Sequence, residues 1–136
     1  MSQYFELAAR DLHAMFDQAM RMICAPDYAE VITAALGPGA LERAERESAF
    51  HFADEVPAVL EWSFDAALAS HIGQPVLLVQ CGASYEAIMA DLARWLPRAT
   101  LTKLEGADHM LPLRDPATLG AMIASFVRQH PTLAPA

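Results

Sequence analysis

Four consecutive apolar residues, Val76-Leu77-Leu78-Val79, follow Gln74-Pro75 and constrain the fold of this chain more than any other feature. The run is too short for a typical helix, and it is apolar at every position rather than at every second one. Such a pattern suits a parallel strand covered on both faces. A strand of this kind needs neighbours on both edges, because an open edge leaves a row of N–H and C=O groups unpaired. Residues 99–104 (ATLTKL) alternate weakly and supply one neighbour. The rest of the sheet is expected from elsewhere, or the open edge is expected to be hidden by a partner.

The segments around these strands read as helices. Tyr85–Leu96 places Ile88, Met89, Leu92 and Trp95 on one side and is closed by Pro97. Pro116 opens a last helix with an apolar stripe of Leu119, Met122, Ile123, Phe126 and Val127. Residues 71–131 are therefore expected to be strand–helix–strand–helix, the repeating unit of an α/β sheet. Residues 1–70 show no strand alternation. From Tyr4 to Cys24, Phe5, Leu12, Met15, Phe16, Ala19, Met22 and Ile23 recur at helical spacing. Pro26 can open a second helix, which stops before Gly37-Pro38-Gly39. A third helix is expected over Ala40–Phe52, with a short piece around Pro57–Trp62. The tail, residues 132–136, reads as loose.

Charge divides along the same line. Residues 1–73 carry 12 of the 17 acidic residues and 4 of the 9 basic ones, whereas residues 74–136 carry 5 of each. An acidic half without a basic stripe argues against nucleic acid, whose phosphates require Lys and Arg, and against an anionic membrane surface. No run approaches the roughly 18 apolar residues of a spanning helix. The opening MSQYFELAARD has neither the basic flank nor the apolar segment of a secretory signal. Cys24 and Cys81 lack metal or redox spacing and read as buried thiols. A cytoplasmic protein is the expectation.

The order of elements, with Gly106-Ala107-Asp108-His109 after the second strand and Asp115-Pro116 opening the terminal helix, resembles the second half of the α/β-hydrolase fold. The similarity runs from the helical cap through the last two strands and covers nearly the whole chain. Its most specific piece is the Gly-x-x-His loop. The resemblance implies that His109 is the catalytic base. An imidazole titrates near working pH and can take the proton of a serine hydroxyl. It also implies that a loop at the carboxyl end of the last strand carries the ring across the top of the sheet. Ser84 stands where many members carry the triad acid, and a hydroxyl cannot offset an imidazolium charge. Glu86 lies nearby but is expected to start a helix. Cys81, where glycine is common, is expected to pack rather than react.

The family's nucleophile sits in Gly-x-Ser-x-Gly. None of Ser2, Ser48, Ser63, Ser70, Ser84 and Ser125 has glycines two residues away on both sides. The oxyanion-hole loops would also precede this region. The expectation is a truncated hydrolase portion, inactive alone, that needs an N-terminal half or another copy of itself to complete the sheet. Its substrate would be small and uncharged or hydrophobic, with no cofactor and no metal. The competing expectation is a non-catalytic remnant or interaction module that self-associates through its strand edge. His51 and Asp54 have an i, i+3 spacing without a third ligand and read as a surface pair. His13 and His71 read as structural.

Overall fold

The computed structural model describes residues 11–82 and 85–131. They form a mixed α/β fold, mostly helical, with one two-stranded parallel sheet among the described residues. The chain divides into two compact units, one up to Ser63 and one from Phe64.

Among its described residues, the first unit is built of helices joined by short turns. Helix α1 (Leu12–Ile23) begins at Asp11, whose carboxylate accepts the Ala14 N–H at 2.9 Å. That bond satisfies one of the donors a helix start leaves open. Its apolar stripe buries Met15 and Phe16, but Met22, expected on the same stripe, is exposed. The expected beginning of this helix, with Tyr4 and Phe5, lies outside the described residues. Helix α2 (Tyr28–Leu36) starts two residues beyond Pro26, with Asp27 at its N-cap, and buries Tyr28 and Ile32. The rings of Phe16 and Tyr28 meet edge-on, centroids 6.0 Å apart at 78°, an arrangement that suits their quadrupoles. The Tyr28 hydroxyl donates to Asp17 Oδ1 at 2.8 Å, and Arg21 Nε holds the same carboxylate at 2.8 Å. Arg21 first, and Tyr28 second, hold Asp17 below the usual carboxylate range. Burial, followed by the bond to Asp17, pushes Tyr28 up to about 12.

Gly37 and Gly39 turn the chain with φ of 86° and 78°, backbone that a side chain resists. Helix α3 (Ala40–Phe50) then runs without a break through a π-turn at His51–Glu55 into α4 (Val56–Glu61). The sequence suggests two separate pieces here; the structure joins them. Val56 N–H reaches back five residues to the His51 carbonyl. Pro57 gives the physical reason. It has no N–H for the Ala53 carbonyl and its ring crowds that oxygen, so the turn before it widens instead of ending the helix. Phe52 is buried at this turn.

The second unit begins with a single helical turn, α5 (Ala66–Ala69), capped by Asp65, which accepts the Leu68 N–H at 3.0 Å. Strand β1 (Val76–Cys81), helix α6 (Glu86–Trp95), strand β2 (Ala99–Leu104), the short α7 (Leu111–Arg114) and helix α8 (Pro116–Gln129) follow. The strands are parallel, in register from Val76↔Ala99 to Cys81↔Leu104, with α6 as the crossover that parallel strands require. Asp115 caps α8 by accepting the Thr118 N–H at 2.9 Å, and Pro116 fills the first helical position, where a missing N–H does no harm.

Cover over this sheet is thin. Val76–Val79, apolar on both faces, are only half-buried. Neither α6 nor α8 holds a buried residue, and Ile88 and Ile123, expected on their inward stripes, are exposed. Val76 N–H donates to the Arg98 carbonyl at 3.1 Å. With that register, the peptide groups of Val76, Leu78 and Gln80 face β2, and those of Leu77, Val79 and Cys81 face the opposite edge. That edge pairs with no strand among the described residues. No helix of the described residues is long and apolar enough to cross a membrane. The tail, 132–136, lies outside the described residues.

Candidate functional site

The carboxyl ends of β1 and β2 carry two loops that approach each other. The β1 loop turns at Gly82, φ 70°, and the β2 loop turns at Gly106, φ 72°. A Cβ built on Gly82 would lie 3.6 Å from the Ala107 carbonyl oxygen, an ordinary contact. The glycine is therefore required by its backbone angle rather than by crowding. Ala107 N–H closes the second turn on the Leu104 carbonyl at 3.3 Å.

His109 stands two residues beyond this turn and is exposed, whereas Met110 and Leu111 behind it are buried. Its ring faces that of Tyr85, centroids 6.0 Å apart and tilted by 41°. Both rings line a cavity of about 320 Å³. Val79, Gln80 and Cys81 form one wall, and Met89 of α6, Leu111 and Pro112 of α7, and Leu119 of α8 complete it. Successive strand residues point to opposite faces. A space bordered by the last three residues of β1 in a row therefore lies at the strand's carboxyl end rather than over one face. No residue of β2 lines it.

Gln80 sits at this end of β1 and is 6% exposed. Its Nε2 donates to the Gly82 carbonyl at 3.3 Å, and its Oε1 has no partner among the described residues. A buried acceptor left in that state costs about 1–3 kcal/mol. Cys81, on the same wall, is a free thiol. Burial first, and the Asp108 carboxylate second, push it up, away from the thiolate a nucleophile needs.

No carboxylate hydrogen-bonds the His109 ring among the described residues. Asp108 is engaged elsewhere: its Oδ1 accepts the Met110 N–H at 2.8 Å and its Oδ2 accepts Arg114 Nε at 2.9 Å. Glu86 heads α6, as its sequence position suggests, and takes the Lys103 ammonium at 2.7 Å, which holds it below the usual carboxylate range. Ser84 lies outside the described residues.

The other histidines stand apart from this cavity's lining. His51 meets Glu55 at 2.7 Å rather than Asp54, taking the i, i+4 of the two spacings that a helix face allows. His71 Nδ1 lies 2.8 Å from the Ala67 carbonyl, and His13 bonds Glu45 at 3.0 Å. No group of three metal-ligating side chains is found among the described residues. Sequence reasoning singles out His109 but misses Tyr85, Gln80 and the Asp108–Arg114 pair. Only the last left a signal, an acid and a base six residues apart around a buried Met-Leu.

No protein-family model, curated protein or solved structure matches the chain.

Proposed function

We propose that this chain is the C-terminal part of a serine-type α/β-hydrolase, contributing His109 as general base to a nucleophile that another stretch of protein supplies. One observation carries the reading: His109 and the carboxyl end of β1, a strand with one edge unpaired among the described residues, border the same cavity. In open α/β sheets that end is where ligands bind. A serine Oγ brought in beside the edge would pass its proton to the His109 ring as it attacks an acyl carbon, and the ring would return the proton to the leaving group. The oxyanion donors, and the carboxylate to steady the imidazolium, would come with the same missing part. The walls supplied by Val79, Met89, Leu111, Pro112 and Leu119 suit a small uncharged or hydrophobic acyl substrate.

The assay is hydrolysis of short p-nitrophenyl esters. The chain alone should be inactive, and co-expression with an N-terminal half bearing Gly-x-Ser-x-Gly should produce activity that His109→Ala abolishes. Turnover by the chain alone, or turnover by the pair that survives His109→Ala, would defeat the reading.

A second reading is favoured by one feature, the plainness of the β1 edge. Val76–Cys81 contains no charged residue and no proline, the devices that discourage edge pairing. A module that self-associates through β1 would then have no catalytic role, and concentration-dependent dimerisation without any partner would support it.

A further inference from the structure

We infer that Asp108 and Arg114 are positioning residues that aim the His109 ring at the cavity; the purpose of this device rests on the hydrolase reading, but its existence does not. The His109 ring makes no hydrogen bond among the described residues, and it faces the Tyr85 ring with centroids 6.0 Å apart. A side chain with two free torsions on an exposed turn samples several rotamers unless its backbone and neighbours select one. The selection here comes from the residue before it. Asp108 Oδ1 accepts the Met110 N–H at 2.8 Å, spanning His109 with a side-chain turn, and the Asp108 carbonyl accepts the Leu111 N–H at 3.2 Å. Those two bonds fix the peptide groups on either side of His109.

Arg114 completes the clamp. Its Nε reaches Asp108 Oδ2 at 2.9 Å, and both side chains are largely withdrawn from solvent, at 29% and 19% exposure. The guanidinium sits on α7, whose first residue, Leu111, is buried along with Met110. Arg114 N–H and Leu113 N–H both return to the Met110 carbonyl, at 2.9 and 2.8 Å, so the arginine is anchored in the segment it holds. The pair also keeps the Asp108 carboxylate occupied by Met110 and Arg114, leaving the imidazole nitrogens available to a nucleophile rather than tied to the adjacent acid. A charge-assisted bond of this kind is about twice as strong as a neutral one.

The test is an aromatic cross-relaxation spectrum of the isotopically labelled full chain, read at the His109–Tyr85 ring cross-peak. Asp108→Ala and Arg114→Met should each reduce that peak about fivefold, the population change expected from losing one hydrogen bond of ordinary net strength. Arg114→Lys should restore most of it, and Asp108→Asn, which keeps an acceptor for Met110 N–H, should fall between. Amide positions in β1 and β2 should stay in place throughout. An unchanged cross-peak in the Ala and Met variants would overturn the inference. So would a loss that accompanies general unfolding and is not rescued by Arg114→Lys or moderated by Asp108→Asn. A chain that never hydrolyses esters with any partner would defeat the hydrolase reading while leaving this cross-peak as described, so the two failures are separable.

Discussion

The helical unit and the strand unit differ in how far each satisfies its own sequence. In the first, the stripes of α1 and α2 are covered, Phe16 meeting Tyr28 edge-on, and Met15, Phe16, Tyr28, Ile32, Ala40 and Phe52 are all buried. In the second, the most apolar strand is half-covered, two amphipathic helices bury no residue, and a buried amide oxygen lacks a donor among the described residues. The contrast teaches that hydrophobic patterning specifies what an element needs, not whether the chain supplies it. A helix closes its own hydrogen bonds and needs one covered stripe. A parallel strand needs two neighbours and two covered faces, which Val76–Cys81 does not find among the described residues.

Core truncation should break or sharpen this contrast most. Phe16→Ala should cost the helical unit about 3–5 kcal/mol, while Leu78→Ala, at a half-covered position, should cost the strand unit about 1–2 kcal/mol. The chain carries two tryptophans, Trp62 in one unit and Trp95 in the other. Single-tryptophan variants would therefore report each unit's denaturation separately. Equal costs would mean that the strand unit is as well packed as the helical one.

Tyr28 should come next. Tyr28→Phe keeps the ring but loses the bond to the Asp17 carboxylate, at a cost of about 1–2 kcal/mol to the helical unit. The same pair sets limits on pH. Tyr28 is raised from 10.0 to about 12, so its contribution is complete below pH 10 and is lost as pH rises towards 12. Asp17 is lowered from 3.8, so its contribution is complete above that value and fades as pH falls through the lowered one. Thermal melts of the wild type and Tyr28→Phe across this range should diverge least at the alkaline end.

The smallest effect belongs to His13 and Glu45, which join α1 to α3 at 3.0 Å on the surface. Glu45 raises His13 above its usual 6.5. The stabilisation is therefore present below pH 6.5 and is lost as pH rises through the raised value. His13→Ala should remove that slope and little else, because exposed pairs are weak.

The sequence made visible whatever depends on local period and punctuation. The strand at Val76, the helix closed by Pro97, the strand at Ala99–Leu104 and the cap at Asp115-Pro116 all have signals within a few residues. What it hid depends on neighbours in space. Pro57 reads as the start of a new helix, yet its missing N–H is accommodated by a π-turn because the flanking residues hold the helix together. Met22, Ile88 and Ile123 fit a stripe by spacing but have too little opposite them to be covered. The place of His109, in the loop after the second strand, was legible from its neighbours in sequence. Tyr85 beside it was not, because ring contact between two loops follows from how the strands pair.

An open β1 edge opposite β2, in the chain by itself, underlies both readings of this protein. Residue-resolved amide hydrogen exchange at concentrations where the chain is monomeric tests this most directly. Leu78 and Gln80, whose N–H groups face β2, should be protected, while Leu77, Val79 and Cys81 should exchange freely. Uniform protection along β1, unchanged on dilution, would mean the edge is already covered and would contradict the account.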